Sequence, residues 1–146
     1  MGSSVVNALS EYLEVKVSLD GNVYYDRYER GVPTVELEKG LLPVIGKTKK
    51  TGTWIHFLPD GEIFEKTWFS GTEVKSRLHE TAYLNPKLTI LYQDKREGKN
   101  EKIEFHEPEG IIGFIRDLNK NKEAVTEPVY FQGESEGITV ECAFQY

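Results

Sequence analysis

The chain has 146 residues, the size of one ordinary domain, and 38% of them are hydrophobic, which excludes global disorder. Its 18 basic and 24 acidic residues give a formal net charge of −6, which disfavours direct binding of this segment to a DNA backbone. A single cysteine excludes an internal disulfide, and no apolar stretch approaches the roughly 18 residues of a membrane span. We therefore expect a soluble, cytoplasmic protein with no membrane partner.

The first part of the chain predicts a short helix followed by a two-stranded hairpin. Ser3 or Ser4 can cap a helix whose apolar residues share one face as far as Tyr12. Apolar and polar residues then alternate, which is the period of a half-buried strand. The Asp-Gly-Asn sequence at 20–22 reverses the chain, because glycine and asparagine tolerate positive φ. We therefore expect a hairpin over residues 13–30.

The rest of the chain predicts further strands and two more helices. A strand over 51–58 ends at a Pro-Asp-Gly turn, and Ser70 and Glu73 form a capping box that begins the second helix. A second hairpin, a third helix that begins at Pro108, and a final pair of strands around 133–137 follow. This order of elements predicts an α+β fold with a mostly antiparallel sheet.

The residue types alone nominate two weak candidates for a functional site. Gly2, Ser3 and Ser4 open a short helix whose free backbone N–H groups can face an anion, although simple capping is the favoured interpretation. Gly52 and Thr53 begin a strand at a point where another group can approach the backbone, and a strand-entry turn is the alternative. The three histidines show no metal-ligand spacing, so no metal site is predicted. Spacing therefore leaves the function open.

Longer segments of the sequence are more informative than spacing. In chain order they are S-S-V-V-N-A-L-S-E-Y-L-E-V at 3–15, Y-E-R-G-V-P at 28–33, G-K-T-K-K-T-G-T at 46–53, F-L-P-D-G-E-I-F at 57–64, R-L-H-E-T-A-Y-L-N at 77–85 and E-G-I-T-V-E-C-A-F-Q-Y at 136–146. With L-T-I-L-Y-Q-D-K-R at 88–96 and G-I-I-G-F-I-R-D-L-N-K-N-K at 110–122, they are spread along nearly the whole chain, which resembles the B subunits of bacterial type II topoisomerases. The K-T-G-T and A-Y-L-N segments, and the L-N-K-N-K that ends the third helix, favour the gyrase group of that family over the topoisomerase IV group.

The resemblance implies a GHKL-type ATPase fold, a two-layer sandwich of helices on a mostly antiparallel mixed sheet. Residues 1–124 match the C-terminal half of that domain, and 125–146 match the entry strands of the transducer domain that follows it. The chain is thus expected to be a piece of a longer protein. A stand-alone, non-enzymatic α+β interaction domain is the rival interpretation.

The resemblance also implies roles for five residues in a nucleotide site. Gly2 matches the last glycine of the lid over the nucleotide phosphates, and Ser3 and Ser4 match the helix start beside it. Thr53 matches a threonine whose hydroxyl supports adenine recognition. Ile55 matches the apolar wall of the adenine pocket, where aminocoumarin drugs also bind.

The family's catalytic Glu, its Mg²⁺-binding Asn and its adenine-binding Asp match no part of this chain. The resemblance therefore implies ATP and Mg²⁺ as cofactors of the parent enzyme, and no catalytic residue, bound cofactor or ATPase activity in this chain alone. The implied partners of the parent are the A subunit and DNA. We expect the chain by itself to self-associate, through a sheet face that the rest of the ATPase domain covers in the family fold.

Overall fold

The computed structural model describes residues 2–146, in two compact units, the first ending at Trp68 and the second comprising Phe69–Tyr146. Unit 1 has one short helix and five strands. Its elements are α1 (Gly2–Ala8), β1 (Ser10–Leu19), β2 (Asn22–Glu29), β3 (Val32–Pro33), β4 (Val44–Lys47) and β5 (Gly52–Pro59). Every strand pairing among these residues is antiparallel.

Strand β1 is the centre of the unit 1 sheet. It pairs with β2 on one edge and with β5 on the other, and β2 pairs in turn with β3 and β4. The predicted hairpin is confirmed, because Leu19 lies opposite Asn22 and the pairing continues to Tyr12 opposite Glu29. Asp20 and the glycine after it have φ of 48° and 79°, the left-handed conformation that a two-residue hairpin turn requires.

The first helix is shorter than its apolar spacing predicts. It ends at Ala8, and the chain enters β1 at Ser10, so Tyr12 lies in a strand. Strand pairing with β5 outweighs the helical preference here, because Ser10 already lies opposite Pro59. The helix includes Ser3 in its first turn, so the expectation that a serine precedes and caps it is wrong.

Unit 2 contains two helices and two separate hairpins. Its elements are α2 (Gly71–Leu84), β6 (Ile90–Gln93), β7 (Lys102–Phe105), α3 (Ile111–Asn119), β8 (Val129–Ser135) and β9 (Ile138–Phe144). Strands β6 and β7 pair antiparallel, as do β8 and β9. The predicted second and third hairpins are therefore confirmed, and the chain is α+β with helices beside antiparallel sheets.

The two helices of unit 2 begin as their local chemistry dictates. The side chain of Ser70 accepts a 3.4 Å hydrogen bond from the Glu73 backbone N–H, the first half of the predicted capping box. Helix α3 begins at Ile111 and not at Pro108, because Gly110 has φ of 59° and so stands outside helical geometry. A side chain at that glycine would also clash with Pro86, whose Cγ lies 2.9 Å from an added Cβ.

The buried apolar residues of unit 2 lie where α2 and α3 meet the first of its hairpins. They are Ala82, Tyr83 and Phe105, and the Tyr83 ring stacks on Phe114 with centroids 5.1 Å apart. His79 stacks on Tyr83 and its Nε2 lies 2.7 Å from a Glu107 carboxylate oxygen. By contrast, every residue of β8 is exposed, so that strand is held mainly by its pairing with β9.

A buried carboxylate holds the loop between β6 and β7. Asp94, whose side chain is 7% exposed, accepts hydrogen bonds from the guanidinium and the backbone N–H of Arg96. The same arginine donates to the backbone carbonyl of Phe69, just before α2. Its guanidinium holds the pKa of Asp94 at about 2, below the usual 3.8.

We predict that the Asp94→Asn substitution lowers the free energy of unfolding at pH 7. Because the folded pKa is depressed, the stabilising contribution of Asp94 is complete above pH 4 and is lost as the pH falls through about 2. The difference between variant and wild type should therefore shrink between pH 4 and pH 2, measured by denaturant unfolding at several pH values. Asp117→Asn, which removes a surface partner of Lys120, is the matched control. A difference that stays constant over this range would contradict the assignment.

Candidate functional site

Strand β5 carries two of the predicted site residues, Thr53 and Ile55. They are two positions apart, so their side chains lie on the same face of the unit 1 sheet. Thr53 lies opposite Val17 of β1 and Ile55 lies opposite Val15. Directly opposite residues of an antiparallel pair share a face, so the structure brings these four side chains together.

On β2, the side of the sheet that carries Thr53 includes Asp26, opposite Val15, whereas on β1 and β5 this side is mainly apolar and open to solvent. We call this apolar part the Thr53 face, and it consists of Leu13, Val15, Val17, Thr53, Ile55 and Phe57. Within it Leu13 is buried, whereas Ile55 is 54% exposed and Phe57 36% exposed. The threonine hydroxyl is thus a polar group beside exposed aliphatic side chains, an arrangement suited to a ligand with a flat apolar body and a polar edge.

The opposite face of the same sheet is polar and internally paired. Glu14 accepts a 2.8 Å hydrogen bond from the Tyr25 hydroxyl, lies 3.1 Å from Nδ1 of His56 and forms a 3.3 Å ion pair with Arg27. The hydrogen bond from Tyr25 and then that from His56 lower the pKa of Glu14, and the Glu14 carboxylate raises the pKa of Tyr25. Because these charges are already paired, this face offers a ligand less than the Thr53 face does.

Helix α1 carries the other three predicted site residues, Gly2, Ser3 and Ser4, and all three are exposed. The helix joins β1 at Ser10, whereas Thr53 pairs with β1 seven positions further on, about 23 Å along an extended strand. The structure therefore places the predicted residues in two groups, one on the Thr53 face and one on α1.

The structure also identifies an ion pair that the sequence pattern did not reveal. Asp60 is 2% exposed, and its Oδ2 lies 2.6 Å from Nε of Arg30. The hydrogen bond from Arg30 lowers the pKa of Asp60. In the sequence, Asp60 reads only as part of a Pro-Asp-Gly turn, and its partner lies 30 residues away.

The described residues provide no metal site of their own. Across residues 2–146, no three His, Cys, Asp or Glu side chains come close enough to hold a metal ion together. In the same range, no helix is both long and apolar enough to cross a membrane.

Comparison with known proteins shows that the whole chain is similar to the B subunits of type II topoisomerases. No family model matches it. Over its entire length it is 47% identical to the DNA gyrase B subunit of Archaeoglobus fulgidus and 45% identical to the DNA topoisomerase 4 B subunit of Streptococcus pneumoniae. It spans 23% and 22% of these two relatives, less than a quarter of either.

A solved structure extends this similarity to the fold. The 43K ATPase domain of Thermus thermophilus gyrase B, solved in complex with an aminocoumarin, matches 99% of this chain with a TM-score of 0.84 and 32% identity. The match covers 38% of that chain.

Sequence and fold together relate the chain to one class: over its whole length it is similar to part of the type II topoisomerase B subunits, and it has the GHKL-type α+β fold that the motifs predict. Within that class, relatives at 43–47% identity over the whole chain carry the name of the DNA gyrase B subunit. The resemblance to the DNA gyrase B subunit that the sequence predicts is thus confirmed.

Proposed function

We propose that the chain forms part of the ATP site of a DNA gyrase B subunit, an ATP-dependent type II topoisomerase that changes DNA supercoiling. The observation that carries this proposal is the match of the whole chain to a gyrase B ATPase domain, with Thr53 and Ile55 on an open apolar face. The parent would act with the gyrase A subunit and DNA in the cytoplasm. The net charge of −6 supports DNA contact through other parts of that complex.

The Thr53 face would receive the adenine of ATP. Ile55 and Val15 supply aliphatic surface for the flat base, and the Thr53 hydroxyl would support a hydrogen bond at the edge of the base. Burial of an aromatic base against such a surface is favourable because apolar area leaves water. This side of the site selects and orients the ligand and takes no part in bond breaking.

Gly2, Ser3 and Ser4 would lie beside the phosphates, where backbone N–H groups at a helix start favour negative charge. ATP supplies the phosphoryl group, and Mg²⁺ would be held by residues of the parent outside this chain. Positioned charge, metal and base provide most of the acceleration in phosphoryl transfer. The chain alone is therefore proposed to lack ATPase activity.

The division of the chain at residue 125 into ATPase and transducer parts stays a prediction. Strands β8 and β9, which follow that point, pair with each other, and β9 also contacts α3. A topoisomerase IV B subunit is the second candidate for the parent, because one such relative is 45% identical. ATP-dependent supercoiling of relaxed plasmid by the parent with gyrase A would support the gyrase assignment, and decatenation without supercoiling would support topoisomerase IV.

We predict that Thr53→Ala in the parent enzyme raises the KM for ATP. Removing the hydroxyl leaves its partners unsatisfied, at a cost of roughly 1–3 kcal/mol, which corresponds to about 5- to 150-fold. Thr53→Ser keeps the hydroxyl and should be much milder. Steady-state ATPase kinetics measure both, and equal KM and kcat for the alanine variant and wild type would remove Thr53 from the site.

We predict that the 146-residue chain alone does not bind ATP tightly. The family's catalytic Glu, its Mg²⁺-binding Asn, its adenine-binding Asp and most of its phosphate lid match no part of this sequence. Isothermal titration with a non-hydrolysable ATP analogue and Mg²⁺ should show no saturable binding in the sub-millimolar range. A saturable isotherm there would mean that α1 and the Thr53 face suffice for affinity.

We also propose that the isolated chain self-associates through the Thr53 face or its terminal strands. The exposed aliphatic and aromatic groups of that face, with Ile138 at 67% and Val140 at 54% exposure in β9, form the kind of surface that is usually covered. Size exclusion with light scattering at several micromolar concentrations should give a mass above 16.7 kDa that rises with concentration. Ile55→Lys should reduce the association. A constant monomer mass for the unsubstituted chain would refute self-association.

A further inference from the structure

Two of the most deeply buried residues that the structure describes are polar. They are Asp60, which is 2% exposed, and Ser10, which is 1% exposed. Both lie where α1 meets the unit 1 sheet. Buried polar groups are costly unless they are hydrogen-bonded, so the contacts of this pair show what the burial achieves.

Asp60 forms hydrogen bonds with groups from three parts of unit 1. Its Oδ2 accepts a 2.6 Å charged hydrogen bond from Nε of Arg30, and its Oδ1 accepts a 2.9 Å bond from the backbone N–H of Glu62. Its own N–H donates to the Leu9 carbonyl, 3.1 Å away, directly after α1. The aspartate therefore connects the loop after β5, the turn after β2 and the end of α1.

Further contacts in the same place hold the last turn of α1. The Ser10 hydroxyl donates to the Val6 carbonyl at 2.6 Å. The backbone N–H of Arg30 donates to the Glu11 carbonyl at 3.3 Å. Gly31, with φ of 81°, lies so close to Ala8 that an added Cβ would be 3.3 Å from its Cα.

Apolar packing contributes little to the attachment of this helix. None of its residues is buried, and Val5 and Val6 are 54% and 37% exposed. The polar contacts at its C-terminal end are thus the main described restraint on its orientation.

We propose that Arg30 and Asp60 are positioning residues that hold α1 on the unit 1 sheet. This inference rests on the proposed function, in which residues of α1 belong to the nucleotide site. Removing Arg30 leaves the Asp60 carboxylate buried without a cation. Glu62, the other charged residue near Asp60, cannot replace the arginine, because it is itself an acid, paired with the Arg30 guanidinium at 2.7 Å. The contacts at the end of α1 are then lost, and the helix samples other orientations.

The first test uses amide hydrogen exchange in the 146-residue chain, without nucleotide. Arg30→Met should raise the exchange rates of the Leu9 and Asp60 amides at least tenfold, while the amides of the β1–β2 hairpin keep theirs. Arg27→Met is the matched control, since Arg27 also pairs with two carboxylates in the same sheet but does not reach α1. Unchanged rates at Leu9 and Asp60 in the Arg30 variant would overturn the proposal.

A milder pair of variants covers the case in which Arg30→Met disturbs the whole unit. Asp60→Asn keeps the acceptor for the Glu62 N–H but removes the charge, and Arg30→Lys keeps the charge but loses the two-carboxylate geometry. Both should raise exchange at the same two amides by less than Arg30→Met does. If the amide exchange rates of these variants rise equally throughout the sheet, the local anchoring role is likewise overturned.

The second test measures ligand binding to the parent enzyme. If α1 is correctly oriented about a tenth of the time in Arg30→Met, the apparent Kd for a non-hydrolysable ATP analogue rises about tenfold. The Kd for an aminocoumarin, the ligand class of the Thermus thermophilus structure, should change less than twofold, and Arg27→Met should change neither. Equal weakening of both ligands, or of neither, would overturn the positioning role. Failure of the wild-type parent to bind the ATP analogue would instead refute the proposed function, and the exchange data would still decide the anchoring of α1.

Discussion

Unit 1 depends on the pairing of a single strand on both of its edges. Strand β1 fixes β2 on one side and β5 on the other, and side chains alternate between the two faces of a sheet with a period of two. A slip of one residue between β1 and β5 would turn Thr53 and Ile55 onto the polar face beside Glu14. The register of this pairing is therefore what presents the hydroxyl and the aliphatic surface on the same open side.

The two faces of the unit 1 sheet and its junction with α1 are stabilised by different kinds of interaction, and these differ with the solvent exposure of each place. The polar face of the sheet is partly exposed and pairs its charges around Glu14, where solvent-accessible ion pairs are individually weak. The junction between α1 and the sheet buries a carboxylate and places an arginine against it, where breaking the pair is far more costly. The six residues of the Thr53 face form no such ion pair, and their exposed aliphatic groups are the surface that the proposed function assigns to adenine.

The elements that could be predicted from the sequence are those with local causes. Alternation and the Asp-Gly turn define the first hairpin, and Ser70 with Glu73 defines the start of α2. The end of α1 could not be predicted, because pairing with a strand distant in the sequence decides it, and neither could the Arg30–Asp60 contact, which joins two turns. Spacing alone left Thr53 ambiguous and did not single out Ile55. The proposed roles of both came from the resemblance, whereas the structure contributed the face on which they lie together.

The last hairpin contains the one thiol of the sequence, and this gives the protein a built-in reporter. Cys142 lies half-buried in β9, opposite Phe131 of β8. Since no second cysteine competes for it, an alkylating reagent or a maleimide dye modifies one defined position, and its rate of attachment follows the opening of that hairpin. For the same reason, oxidation within this sequence can form a disulfide only between two molecules. Reducing conditions prevent such covalent dimers, so any association measured under them is non-covalent.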